Sequence, residues 1–291
     1  MIIKGLNRLD EETVRKIRNM EKAVMEIDGV RENVYLDDSL HFDHRIKHTF
    51  IAYEKDQPIS FIHLFIPTQK EAELSAMTLP EHRGQGYFSA LLLCVREELL
   101  RYKIPDLLFV ADTRDSIAPL MNDLGAQYDF SEYAMTLEKS DWQDESPDNG
   151  IKLVKTKYKD IDTLADISVA VFGESKKDAR GRVEKSLLAS TRESFAADFK
   201  GKLIGMGYVD YESNDPGIFG FGILPEFQKK GYGRRFLSLL INHLLADGAV
   251  RVKLEVDSKN DHALHLYQQI GFTPTSGYDY YRKSVQSERE N

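Results

Sequence analysis

Residues 218–235 read Ile218-Phe219-Gly220-Phe221-Gly222-Ile223-Leu224-Pro225-Glu226-Phe227-Gln228-Lys229-Lys230-Gly231-Tyr232-Gly233-Arg234-Arg235, and the fold is decided by how they divide. Ile218–Leu224 is apolar and reads as a strand. Pro225 interrupts it, since proline has no N–H to give a ladder. Gly-Tyr-Gly then opens onto Phe236-Leu237-Ser238-Leu239-Leu240-Ile241, an amphipathic helix to about Ala246. A strand that passes through a glycine turn into a helix is an anion cradle. The glycines admit close approach, the first helical N–H groups have no internal partners, and the helix dipole adds positive charge. Lys229, Lys230, Arg234 and Arg235 surround that turn. The loop suits a pyrophosphate. No Gly-Lys-Ser/Thr follows, which excludes a Walker loop, and the third glycine of a dinucleotide fingerprint is missing. Taken alone, the same residues also describe an ordinary turn with surface lysines.

The unit occurs twice. Glu73–Leu79 reads as a strand, Pro80-Glu81-His82-Arg83-Gly84-Gln85-Gly86 as the turn, and a helix runs on to about Tyr102. The shared Leu-Pro-Glu sets the two copies 145 residues apart. Each copy is preceded by a short strand (Ile2–Leu6; Ile151–Val154), helices (about 11–27; about 161–172 and 180–189) and further strands (49–53 and 58–66; 194–199 and 203–211). Each is followed by a strand and a helix (107–111 and 117–123; 250–256 and 262–270) ending at Gly125 or Gly271, the left-handed position of a helix C-cap. A repeat this long means two copies of one domain. Between them, residues 139–149 are polar, acidic and aperiodic, a linker. The expected division is 1–138, linker 139–149, and 150–291.

Composition narrows the class. The 291 residues are 42% hydrophobic and 30% charged, an ordinary globular balance. No apolar run approaches the roughly 18 residues of a membrane span, and the N-terminus lacks a signal-peptide core. Cys94 is the single cysteine, which excludes a disulfide framework and a Cys-rich zinc site. These features predict a cytoplasmic protein, monomer or homodimer, without membrane attachment. The net charge of −8 lies wholly in residues 1–138, with 16 Lys and Arg against 24 Asp and Glu; the remainder is balanced. A nucleic-acid binder would carry the opposite sign. His41, His44 and His48 are spaced like one helical face, but no carboxylate accompanies them at ligand spacing, and no metal is expected.

The downstream residues settle the reading of the turn. Asn260, Ala263, Leu266 and Tyr267 lie on the helix before Gly271-Phe272. The pair of motifs, Gln228-Lys229-Lys230-Gly231-Tyr232-Gly233 and Asn-x-x-Ala-x-x-Leu-Tyr-x-x-x-Gly-Phe, resembles the GNAT superfamily of N-acetyltransferases. The likeness covers the whole chain as tandem copies, an arrangement similar to that of mycothiol synthases. It implies an α+β fold: two domains, each a mixed, mostly antiparallel sheet flanked by helices. It also implies acetyl-CoA as co-substrate and acetyl transfer to a primary amine of a small molecule or peptide. The alternative is a non-catalytic acyl-CoA-binding sensor or scaffold.

The resemblance assigns roles by position. Gln228, Lys229, Lys230, Gly231, Tyr232, Gly233, Arg234 and Arg235 would hold the pyrophosphate, Asn260 the pantetheine arm, and Tyr267 would protonate the leaving thiolate. A phenol is a usable proton donor there, although a core aromatic at helical spacing would read the same. A protonated amine also needs a base. Glu255 precedes Tyr267 by twelve residues, the spacing in enzymes resembling ribosomal-protein alanine acetyltransferases; a solvent-facing strand glutamate is the alternative. Asp210 and Glu212 are fallback bases. The oxyanion donor falls to the backbone N–H of Ile223 or Leu224, since Pro225 has none. Tyr208, Tyr211, Phe219, Phe221, Tyr278, Tyr280 and Tyr281 are candidate pocket aromatics. The first copy departs from the pattern: Phe88 replaces the usual small residue, Met121 stands at the Tyr267 position, and Arg114 at the Asn260 position. Methionine has no proton to give a thiolate. The first copy is expected to be degenerate and the second catalytic, and Cys94 to be buried and inert.

Overall fold

Asp10 starts the first helix by accepting the Thr13 N–H at 2.7 Å, and Gly29 closes it at φ 73°. Such local signals fix most of the elements in this computed structural model, which describes residues 1–29, 33–113, 117–144, 146–213 and 215–286. In chain order they are β1 (Ile2–Leu6), α1 (Glu11–Asp28), β2 (Thr49–Glu54), β3 (Gln57–Phe65), β4 (Glu71–Thr78), α2 (Tyr87–Arg101), β5 (Asp106–Asp112), α3 (Ala118–Asp123) and β6 (Gln127–Glu138). Then come β7 (Ile151–Lys155), α4 (Ile161–Phe172), α5 (Lys176–Leu188), β8 (Arg192–Phe199), β9 (Lys202–Asp210), β10 (Gly217–Ile223), α6 (Tyr232–Ala246), β11 (Arg251–Asp257), α7 (Asp261–Ile270) and β12 (Thr273–Ser284). Helix α5 begins earlier than periodicity indicates because Ser175 caps it. β6 and β12 are long strands that hydrophobic alternation does not mark.

The chain forms two compact units, Met1–Asp129 with Asp279–Asn291, and Phe130–Tyr278. The sheet of the first has the order β1-β2-β3-β4-β5-β12, antiparallel through β4 and parallel between β4 and β5. Ile17, Met20 and Val24 of α1 and Leu91, Val95 and Leu99 of α2 join β2, β3 and β4 in one core. The C-terminal segment is integral to this unit. Arg282 meets Glu71 at 2.8 Å, Asp106 at 3.1 Å and Asp129 at 2.7 Å, while the buried Val285 donates its N–H to the Pro105 carbonyl.

The second unit has the order β12-β6-β11-β10-β9-β8-β7, parallel where β10 meets β11 and antiparallel between β6 and β11 and along β10-β9-β8-β7. One face packs on α6 and α7, the other on α4 and α5. Each unit is therefore α+β with a mixed, mostly antiparallel sheet.

The helical spacing of the histidines is not realised, because residues 33–48 contain no helix. His44 is exposed. His41 and His48 instead meet His63 of β3 in the core, with ring centroids 4.8 Å (41–48) and 5.3 Å (48–63) apart. Cys94 is only half-buried; burial nevertheless pushes its thiol up, away from the reactive thiolate.

Candidate functional site

The second sheet opens at β10. Its parallel pairing with β11 ends at Ile218–Leu254, so residues 219–223 have no strand partner on that side. On the other side β10 bulges against β9 between Phe219 and Gly222. Gly220 stands at φ 55°, and a Cβ there would lie 2.8 Å from the Tyr208 ring, so the bulge requires glycine. Hydrogen bonding then separates the two candidate oxyanion donors. The Leu224 N–H is spent on the Ile204 carbonyl at 2.8 Å. Alternate residues of a strand bond opposite neighbours, so the Ile223 amide turns to the open side. Gln228 Nε2 reaches the Ile223 carbonyl on that side at 2.9 Å. Leu224 is therefore set aside, and Ile223 remains.

The turn that follows is the cradle. Pro225–Phe227 form a short 3-10 turn, Gln228 is extended, and Gly231 at φ 79° leads into α6. Lys229 is held at φ 59°, where the first unit has Gly84 at φ 71°. A left-handed residue with a Cβ costs roughly 1 kcal/mol, so a cation is kept here against backbone strain. Lys230 Nζ donates to the Glu226 carbonyl at 2.7 Å. Tyr232 and Gly233 supply the first helical amides, and a Cβ on Gly233 would meet only ordinary contacts with Ile223 and Leu266. Arg234 lines a cavity of about 190 Å3 beside α7. Arg235 is committed elsewhere: its Nη1 lies 3.0 Å from Ser146 Oγ and 3.4 Å from Asp144 Oδ2, both in the segment that precedes β7. The sequence gives no sign of that contact.

Helix α7 carries the other motif. Asn260 caps it, its Oδ1 accepting the Ala263 N–H at 3.2 Å and its amide N–H groups remaining as donors. Tyr267, two turns on, is 7% exposed, and burial pushes its phenol up to about 12. It stays protonated at neutral pH, as a proton donor must. On β11, Val252, Leu254 and Val256 share the core with Tyr267, so the exposed Glu255 lies on the opposite face. Tyr267 and Glu255 thus lie on opposite sides of β11. Asp210 is ion-paired at 3.0 Å with the buried Arg192, and Glu212 is exposed beyond the strand. The aromatic set does not form one cluster. Tyr208 stacks on Phe219 at 5.1 Å, Phe221 stacks on Phe236 across the sheet, and Tyr280 and Tyr281 belong to the first unit.

The first unit repeats the backbone and not the chemistry. Leu79 N–H donates to the Ile59 carbonyl, Arg83 Nε to the Thr78 carbonyl, and Gly86 at φ 83° starts α2. Arg83 is ion-paired with Asp28 at 2.5 Å. Met121 is 2% exposed in the core, and Arg114 lies outside the described residues.

The model of the acetyltransferase (GNAT) family matches residues 14–119 and again 161–272. The chain belongs to this family. As a GNAT protein it is of the tandem kind. It is similar to the tandem GNAT protein from the clavulanic acid biosynthesis pathway, with a TM-score of 0.75 over 99% of each chain at 15% identity, a likeness of fold. In sequence it is 26% identical over 138 residues to a mycothiol acetyltransferase of Propionibacterium freudenreichii, covering 44% of each chain. It is 28% identical over 110 residues to the [ribosomal protein bS18]-alanine N-acetyltransferase of Escherichia coli, covering 37% of this chain and 74% of that one. The match thus spans less than half the length of the mycothiol acetyltransferase. Among the described residues no helix is long and apolar enough to cross a membrane.

Proposed function

We propose that the second unit is an acetyl-CoA-dependent N-acetyltransferase acting on a primary amine of a small molecule or peptide in the cytoplasm, and that the first is a degenerate copy. The observation that carries this is the opening between β10 and β11, with the Ile223 amide facing it and Gly233 of the cradle packed against Ile223. The donor set fits the cofactor: backbone N–H groups and Lys229 for the diphosphate, Asn260 for the amide-rich arm, and an apolar strand pair between. Acetyl-CoA supplies the acetyl thioester. Glu255 takes the proton of the incoming ammonium, freeing its lone pair. The Ile223 N–H stabilises charge on the carbonyl oxygen. As the C–N bond forms and the C–S bond breaks, Tyr267 Oη gives its proton to the thiolate, and the second proton shed by the nitrogen restores the phenol by way of solvent. The nucleophile is the amine itself, so transfer is direct.

The test is thiol release from acetyl-CoA across amines, polyamines, amino acids and N-terminal peptides, with binding measured in parallel by calorimetry. Binding with no thiol release from any acceptor would favour a sensor or scaffold.

A further inference from the structure

Described residues of the segment before β7 lie against the cradle. Asn149 Nδ2 is 3.8 Å from the place a Cβ on Gly231 would occupy. Trp142 donates Nε1–H to Asn242 Oδ1 on α6 at 2.8 Å, and Asn242 returns Nδ2–H to Asp144 Oδ2 at 2.7 Å. Asp144 also accepts the Ser146 N–H and hydroxyl. The result is a fan of oxygens, one carboxylate, one hydroxyl and the Ser146 carbonyl, within 3.4 Å of Arg235 Nη1. Arg235 lies on the first turn of α6, and helical side chains point back toward the N-terminus, here toward Gly231. Its Nε is buried without a partner, so the fan satisfies only one side of the guanidinium. An anion with oxygens on both sides would satisfy it fully.

We propose that Asp144 is a built-in competitor for the phosphates of the ligand. With the cradle empty it holds Arg235; when a diphosphate is seated, Arg235 turns to it and the Trp142–Asp144 strap comes off α6. This rests on the cofactor reading above. The same two residues set how tightly the cradle binds, because every bond Arg235 makes to phosphate is exchanged for its bonds to Asp144 and Ser146. Such a strap tunes release as well as capture, since it returns to Arg235 when the thiol product leaves.

The chain contains one tryptophan, which makes the strap visible. Titration of the full chain with CoA should shift the Trp142 emission to longer wavelength as its indole leaves Asn242. Asp144→Asn keeps the shape and lowers the charge. It should tighten CoA binding about fivefold by calorimetry, the scale of a part-exposed ion pair. Asp141→Asn removes the same charge from this segment without touching Arg235, and should change affinity less than about twofold by the same measure. In an Arg235→Gln background the Asp144→Asn gain should vanish. Equal tightening by Asp141→Asn, or a gain that survives Arg235→Gln, would reduce the effect to general charge and overturn the strap. So would CoA binding with unchanged Trp142 emission. No binding of CoA by either the natural chain or Asp144→Asn, with melting curves intact, would overturn the cofactor reading itself.

Discussion

His41 offers a quantitative test of the first unit. It is fully buried beside His48 and His63, and His48 Nε2 sits 3.4 Å from Asp38. Thr49 Oγ1 joins the Nδ1 atoms of His48 and His63 at 3.1 and 2.8 Å. Burial, and then the neighbouring His48, lower the His41 pKa from 6.5 to about 3. His63 is lowered in the same direction by the same causes. The fold therefore binds the neutral rings, while the unfolded chain takes up protons near 6.5. Stability is complete above that pH and falls as the pH drops toward 3. At about pH 4.5 protonation of His41 in the unfolded chain alone removes about 3 kcal/mol, a large share of an ordinary domain's stability. His41→Leu keeps the bulk and abolishes the titration. In urea melts followed by circular dichroism, the natural chain should lose about 3 kcal/mol more than His41→Leu between about pH 7.5 and pH 4.5. Any cavity cost of the variant cancels in that difference. Equal losses would mean that the ring is already charged or solvated in the folded protein, and the argument would fail.

Other expectations concern the second unit and the C-terminal segment. Tyr267→Phe should lower kcat by about 10²-fold with acetyl-CoA affinity near that of the natural chain, because the lost proton transfer belongs to the transition state; an unchanged kcat would leave Tyr267 a packing residue. With its phenol near 12, Tyr267 should produce no alkaline fall in activity below that pH, which a pH–rate profile reads directly. Glu255→Gln should lower kcat by about 10²-fold near neutrality and recover in part at higher pH, where more amine is already neutral; a natural pH profile would exclude Glu255 as base. Arg282→Ala leaves Glu71, Asp106 and Asp129 facing one another, and should destabilise the first unit by about 1–2 kcal/mol in a urea melt, more so at low salt.

The tandem fold was legible because its signals are local. The two Leu-Pro-Glu turns, the glycines that follow and the helix-ending glycines each state a backbone conformation. β6 was not, because its burial follows no period of two: Met135, Thr136 and Leu137 are buried in succession. Candidate site residues could be named where chemistry is tied to residue type, at Tyr267, Asn260 and the cradle. The arrangement was not legible where the deciding quantity is a hydrogen-bond direction. That Leu224 has spent its amide on Ile204, while Ile223 has not, depends on register. That Arg235 faces Asp144 depends on a contact 91 residues long, which nothing in either stretch announces.

The placement of the final strand bears on synthesis. Residues 1–129 need 279–285 to finish their sheet and core, and those are translated some 150 residues later. At about 5–20 residues per second, the N-terminal half waits roughly 8–30 s on the ribosome with the β5 edge uncovered. Residues 1–129 also carry six of the eight units of excess negative charge. Like charges on nascent chains of one polysome repel one another, which guards an exposed strand edge against pairing with its neighbours until the true partner emerges.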